Sequence, residues 1–250
     1  MERGGEPGWT FDLDRVLFHG GGILVIDKPP GVPVHRGTGH AGGVVESIAV
    51  WVSLNPGVLD VAAGKRIHPV QLMDREASGV LVLALSRAAA RRAKAAFAEG
   101  RVERVHLAVV AGPLEPEGVI DGRLRAYVRG RTRELPARLG YRVLRGDERS
   151  SLVEVVPAGG GHHLVRSLFA QIGRPLAGDL RYGKPKPSRL FLERFGTPFF
   201  LVHAFSVTLP EDVLGTRIRF EAPVPEGFRS VCRKKGWEDA LPSPAPPARR

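Results

Sequence analysis

Short apolar runs that stop at turn-forming residues recur along this chain, and they constrain its fold more than any other feature of the sequence. Residues 23–26 are apolar and lead directly into a turn at 27–31 that contains two prolines and a glycine, which predicts a buried strand. Residues 80–85 and 152–156 are typical of strands for the same reason. Strands outnumber helices and are not regularly separated by them. We therefore expect an α+β fold with a mixed, mainly antiparallel sheet and flanking helices and loops.

One further predicted strand carries a histidine. Residues 103–110 alternate between two faces, which predicts a half-buried strand with Val105, Leu107 and Val109 on its apolar side. His106 is expected to face away from that side.

Two segments show helical periodicity. Ser86 predicts the N-cap of an alanine-rich helix over 87–99, and Gly100 predicts its end. In the second segment, apolar residues recur three and four positions apart and stop before a Gly-x-Pro sequence. This apolar stripe consists of Leu164, Val165, Leu168, Phe169 and Ile172. His163 and Arg166 are three residues apart, so they are expected to share the opposite face of the helix.

The length of 250 residues suits one compact domain. We expect an N-terminal extension over 1–19, a folded domain over 20–232, and a flexible, basic Pro/Ala-rich tail over 233–250. The N-terminus has glycine, proline and charge where a signal peptide would be apolar, and no apolar run has the length of a membrane span, so a cytoplasmic location is expected. Cys232 is the only cysteine, which excludes an intrachain disulfide and a thiolate metal cluster.

Basic side chains are in clear excess. Lysine and arginine total 37 against 26 acidic residues, and the formal net charge of +11 favours a polyanionic partner such as nucleic acid. Arg123, Arg125, Tyr127 and Arg129 recur at every second position, so they can share one face of a strand and interleave charge with an aromatic ring. RNA contact and a solvated surface are both consistent with this pattern.

The segment 68–82 carries the most informative chemical pattern. Asp74 lies in a turn immediately before an apolar strand, where a rigid backbone can hold a carboxylate partly desolvated. Its surroundings resemble the RluA-type family of RNA pseudouridine synthases, whose hallmark is His-Arg-Leu-Asp, two variable residues, Thr-Ser-Gly and an apolar strand. Asp74, Arg75, Ser78 and Gly79 match that hallmark.

Other segments that resemble the family follow in the family's order. They are residues 27–35, 141–144, 151–154, 172–183, 201–204 and 222–225. The resemblance extends over about residues 20–230 and implies the pseudouridine synthase fold for the folded domain. Few residues precede the first matching strand, so we do not expect the separate N-terminal S4-type module that this family often carries.

The resemblance also implies a reaction and a set of roles. The family converts specific uridines of structured ribosomal or transfer RNA to pseudouridine without a cofactor or metal, and a monomer is expected. Asp74 matches the catalytic carboxylate, Arg166 matches its ion-pair partner, and His106 stands at the pocket tyrosine as a candidate acid/base group. The candidate substrate-binding residues are Gln71, Arg75, His163, Arg123, Arg125 and Arg129.

The chain departs from the family pattern mainly at positions that hold the substrate. The departures are Gln71 for His, Leu72 for Arg, Ala77 for Thr, His106 for Tyr and Gly161 for Arg. A catalytically inactive RNA-binding protein on the same scaffold is therefore the alternative hypothesis. A metal hydrolase built on His68, His162 and His163 is disfavoured, because adjacent histidines diverge on a helix.

Overall fold

A computed structural model describes residues 9–36, 42–59, 66–128 and 131–244, with the side chains of 126–128 not described. These residues form one ten-stranded sheet. Its strands are β1 Val16–Gly20, β2 Ile23–Lys28, β3 His68–Pro69, β4 Ser78–Ala84, β5 Glu103–Ala111, β6 Glu117–Val128, β7 Arg131–Gly146, β8 Ser150–Ala158, β9 Val202–Leu209 and β10 Ile218–Glu221. Their order in the sheet is β1-β2-β4-β9-β5-β8-β7-β6, with β3 paired to β4 and β10 to β9. Every pairing between them is antiparallel except β4 with β9, which confirms a mixed, mainly antiparallel sheet.

Helices cover both faces of this sheet. They are α1 Val44–Leu54, α2 Arg87–Ala98, α3 Leu164–Gln171, α4 Pro185–Phe195, α5 Glu211–Leu214 and α6 Glu226–Lys234, with 3-10 turns at Leu13–Arg15 and Glu238–Ala240. The two predicted helices are confirmed as α2 and α3. The Ser86 hydroxyl accepts a hydrogen bond from the backbone N–H of Ala89 at 3.2 Å, and Gly100 follows the helix with a φ of +70°. None of the described helices is long and apolar enough to cross a membrane.

Two details of the predicted burial are wrong. Ile172 was expected in the apolar stripe of α3, but it lies one residue past the helix and is 44% exposed. Strand β5 was expected to be half-buried, but Ala108 and Val110 on its second face are fully buried beneath α3. When small residues such as alanine occupy a covered face, the sequence of the strand shows the alternating pattern of a half-buried strand although both faces are buried.

The packed domain extends beyond residues 20–232. Strand β1 pairs with β2, and Phe11 ahead of it is buried. At the other end, α6 runs to Lys234, and Trp237 and Leu241 pack into the same core cluster as Leu107. Residues 1–8 and 245–250 lie outside the described residues.

The short parallel contact between β4 and β9 holds the loop that carries Asp74. Ser78 and Gly79 lie opposite His203 and Ala204, and the Ser78 hydroxyl is 2.9 Å from His203 Nδ1 in a fully buried contact. Gly79 has a φ of +105°, and a Cβ at this position would collide with the carbonyl of Ala204. Glycine is therefore required for the two strands to meet at this point.

Candidate active site

A buried lysine fixes the backbone on which Asp74 is carried. The ammonium of Lys28 donates to the carbonyls of Pro29, Val32 and Arg75 at 2.9, 2.8 and 3.1 Å. These three bonds use all the donors of the ammonium and tie the turn after β2 to the residue that follows Asp74. Burial lowers the pKa of Lys28 to about 7, against the opposing charges of nearby carboxylates.

Asp74 lies between β4 and α3 and has two basic neighbours. Its Oδ1 is 3.1 Å from His163 Nε2, its Oδ2 is 3.5 Å from Arg166 Nη1, and the side chain is 15% exposed. Burial raises the pKa of Asp74, but the hydrogen bonds and charges of His163 and Arg166 outweigh this effect and lower it below the ordinary value. Asp74 is therefore ionised at neutral pH although it is largely removed from water.

Arg166 also contacts a second carboxylate, Asp179, which was not among the predicted site residues. Its Nε and Nη2 donate to the two oxygens of Asp179 at 2.7 and 2.9 Å, which is a bidentate arrangement. Its guanidinium carbon lies 4.2 Å from the ring centre of Phe200 and 5.1 Å from that of Tyr182. The arginine predicted as the partner of Asp74 is thus held more tightly by Asp179 than by Asp74.

Asp179 also organises the second neighbour of Asp74. It is fully buried and accepts hydrogen bonds from the backbone N–H groups of Arg181 and Tyr182 at 2.9 and 3.1 Å. The hydroxyl of Tyr182 lies 3.0 Å from His163 Nδ1, so His163 bridges Tyr182 and Asp74. Both basic partners of Asp74 therefore depend on Asp179, directly or through Tyr182.

These five side chains form one connected network beside a small cavity. A family model described as RNA pseudouridylate synthase matches residues 22–171 of the chain. The chain belongs to this family.

Relatives and solved structures agree with the family assignment. The chain is 30% identical over 226 residues to "Ribosomal large subunit pseudouridine synthase D" of Nitrosomonas europaea, covering 88% of this chain and 64% of that protein. It therefore spans less than two thirds of that relative. It is 25% identical to "tRNA pseudouridine synthase C" of Vibrio parahaemolyticus, covering 91% of this chain and 97% of that protein. "Human RNA Pseudouridylate Synthase Domain Containing 4" has the same fold, with a TM-score of 0.70, 22% identity and coverage of 88% and 92%.

The cavity beside Asp74 has a volume of about 90 Å³, and His106 and Gln71 are among the residues that line it. Burial, together with the charges of Arg104 and His203, lowers the pKa of His106 to about 3, so its imidazole is neutral at physiological pH. Gln71 donates from Nε2 to the carbonyl of Val80 at 2.8 Å. The structure thus brings both predicted residues to the same cavity as Asp74.

The other candidate residues lie in grooves next to this cavity. Arg75 is exposed and donates to the carbonyl of Gly31 at 2.9 Å, with its guanidinium 6.0 Å from the ring centre of Phe199. Arg123 and Arg125 line a groove that also contains His163 and Tyr182. Arg129 and the side chain of Tyr127, which were also predicted to contact RNA, lie outside the described residues.

No group of three metal-ligating side chains that could hold an ion occurs in the described parts of the chain. His68 is on β3, whereas His162 precedes α3 and lines the cavity with Asp74. Cys232 is buried in α6, and burial raises the pKa of its thiol to about 12. It is therefore protonated and inaccessible as a nucleophile.

Proposed function

We propose that this chain converts specific uridines of structured ribosomal or transfer RNA to pseudouridine, with Asp74 as the catalytic carboxylate. The observation that carries the proposal is the environment of Asp74: a desolvated but ionised carboxylate that borders a cavity and is held by His163 and Arg166. Perturbed ionisable groups in a cavity are characteristic of catalytic sites.

The bonds and protons of the isomerisation balance within the nucleotide itself. The bond from ribose C1′ to N1 of uracil breaks, a bond from C1′ to C5 forms, a proton leaves C5 and a proton arrives at N1. Asp74 supplies the negative charge and an oxygen lone pair at the reacting centre, and Arg166 keeps it ionised. No redox partner or second substrate enters this balance.

A uridine in folded RNA must leave its stack before it can reach Asp74. Extrusion of a base costs a few kcal/mol, which contacts to the RNA backbone have to offset. Arg123 and Arg125 are 65% and 83% exposed and lie 3.4 and 3.9 Å from Glu134, which is also exposed. Exposed ion pairs of this kind contribute little to stability, so both arginines can turn toward RNA phosphates.

One observation favours the alternative of a non-catalytic RNA-binding protein. Leu72, at the position of the family's arginine, is 63% exposed at the edge of the cavity and can contact a base only through apolar surface. The network around Asp74 argues for catalysis, because buried charges are costly to keep without a role in binding or chemistry. A monomeric state and a cytoplasmic location stay predictions.

Mapping of pseudouridine in total RNA tests the proposal. The RNA comes from cells that carry the wild-type protein, a deletion, Asp74→Asn, or Asp121→Asn as a matched control in an exposed ion pair. We expect at least one site that is modified with the wild type and with Asp121→Asn and unmodified in the other two. Four identical maps would overturn catalysis and leave the RNA-binding alternative.

A further inference from the structure

Three of the residues that line the cavity beside Asp74 each have a buried polar atom without a hydrogen-bond partner. Across residues 9–36, 42–59, 66–128 and 131–244, the buried side-chain atoms that make no hydrogen bond are Gln71 Oε1, Arg104 Nε and His106 Nδ1. All three residues line this cavity. An unpaired buried polar atom is destabilising, so a set confined to one cavity indicates groups reserved for a ligand rather than scattered packing defects.

The amide of Gln71 has a defined orientation. Its nitrogen donates to the carbonyl oxygen of Val80 at 2.8 Å, and a carbonyl can only accept. The NH₂ group must therefore face Val80, which leaves the amide oxygen as the unpaired acceptor. This orientation follows from chemistry, because no other assignment of the two amide atoms satisfies Val80.

Arg104 is half-buried, and its guanidinium is only partly satisfied. Its Nη2 donates to the backbone carbonyls of Pro157 and Gly159, and its guanidinium carbon lies 5.8 Å from the ring centre of Phe97. Burial lowers the pKa of Arg104. Its Nε–H remains an unpaired donor beside the cavity, and arginine cannot become an acceptor.

His106 completes the set. A neutral imidazole carries one N–H and one bare nitrogen, so Nδ1 can act as a donor in the appropriate tautomer. Gln71, Arg104 and His106 together offer one acceptor and two donors. The polar edge of uracil presents the complementary set, one N3–H donor between the two carbonyl acceptors O2 and O4.

We propose that Gln71, Arg104 and His106 bind the polar edge of the extruded uracil, with Gln71 Oε1 accepting the N3–H and the other two side chains donating to O2 and O4. This inference rests on the proposed function, which places a uridine at Asp74. It assigns Arg104 a role in substrate recognition. It also pairs Gln71, one of the departures from the family hallmark, with the N3–H of the base.

A cycle that combines a protein substitution with a base modification tests the contact to N3. The protein is the full chain, either wild type or Gln71→Met, which keeps the side-chain length but removes the acceptor. The probes are fluorescent ten-nucleotide RNAs of uridine and of 3-methyluridine, which lacks the N3–H. We expect Gln71→Met to weaken binding of the uridine probe about tenfold and to change binding of the methylated probe by no more than about twofold.

Gln171→Met is the matched control, because Gln171 is exposed on α3 and outside this cavity. It should change the two affinities by the same factor. Gln71→Leu also removes the acceptor with a side chain of different shape, and it replaces Gln71→Met if that variant does not fold. Equal effects of the Gln71 variants on both probes, or no effect on either, would overturn the assignment. If the coupling is present but no Asp74-dependent pseudouridine exists in cellular RNA, the base contact stands and the proposed catalysis fails.

Discussion

The charges around Asp74 and those on the β6–β7 hairpin differ in almost every physical respect. Arg166 is buried and fixed by two hydrogen bonds to Asp179, which itself has no exposed surface. Arg123 and Arg125 are exposed and share one glutamate at 3.4 and 3.9 Å. Buried charges with good geometry set the ionisation of a catalytic group and are little screened by salt, whereas exposed charges are adaptable and strongly screened. The comparison separates a rigid proposed catalytic centre from an adjustable surface that is proposed to bind RNA.

The largest expected effect comes from removing the shared cation. Arg166→Met leaves Asp74 and Asp179 without their common partner, so we expect activity to be lost and the free energy of unfolding to fall by about 3–5 kcal/mol. Urea unfolding and pseudouridine formation measure the two effects. Arg217→Met, which breaks an exposed ion pair with Glu103, should change stability by no more than about 1 kcal/mol. Equal stability of the two variants would show that the buried ion pairs of Arg166 contribute no more to stability than an exposed ion pair.

An intermediate effect is expected when Asp179 loses its charge. Asp179→Asn weakens the hold on Arg166 and the turn that positions Tyr182, so the partners of Asp74 shift while the RNA surface is unchanged. We expect kcat to fall about a hundredfold and the affinity for RNA to stay within about twofold. Tyr182→Phe breaks only the His163 branch and should reduce kcat less. A parallel loss of RNA affinity in Asp179→Asn would mean that the two regions are not separate.

The smallest expected effect belongs to the hairpin. Replacing Arg123 and Arg125 together by Ala should weaken RNA binding about tenfold at moderate salt and reduce its dependence on salt concentration, with stability and kcat nearly unchanged. Arg217→Ala is a matched control, because its side chain is 65% exposed, as is that of Arg123, and is also ion-paired. Fluorescence titrations at several salt concentrations measure the difference. An unchanged salt dependence in the double variant would assign these arginines to solvated surface.

Much of the scaffold could be predicted because local rules govern it. Strand β2 continues two residues past the predicted end at residue 26 and stops at Lys28, where the prolines that follow cannot donate to the hydrogen-bond ladder. The helix after Ser86 begins at a side-chain cap and ends before Gly100. The site was predicted less completely. The five residues predicted for the site that line one cavity are Gln71, Asp74, His106, His163 and Arg166. Asp179, Tyr182 and Arg104 were not given roles, because a carboxylate after a glycine or an arginine in a strand has no local signature of its partners.

The sequence by itself determined the elements and the family resemblance, and it indicated Asp74 as the predicted catalytic carboxylate, since these depend on residue order and short-range periodicity. Only the tertiary structure decided which charges meet. It paired Arg166 more closely with Asp179 than with Asp74, and it placed His163 between Asp74 and Tyr182. It also brought three residues with unpaired polar atoms, one from the loop before β4 and two from β5, to the lining of one cavity. Such contacts join residues far apart in the chain, and their strength depends on burial and distance, which residue order alone does not specify.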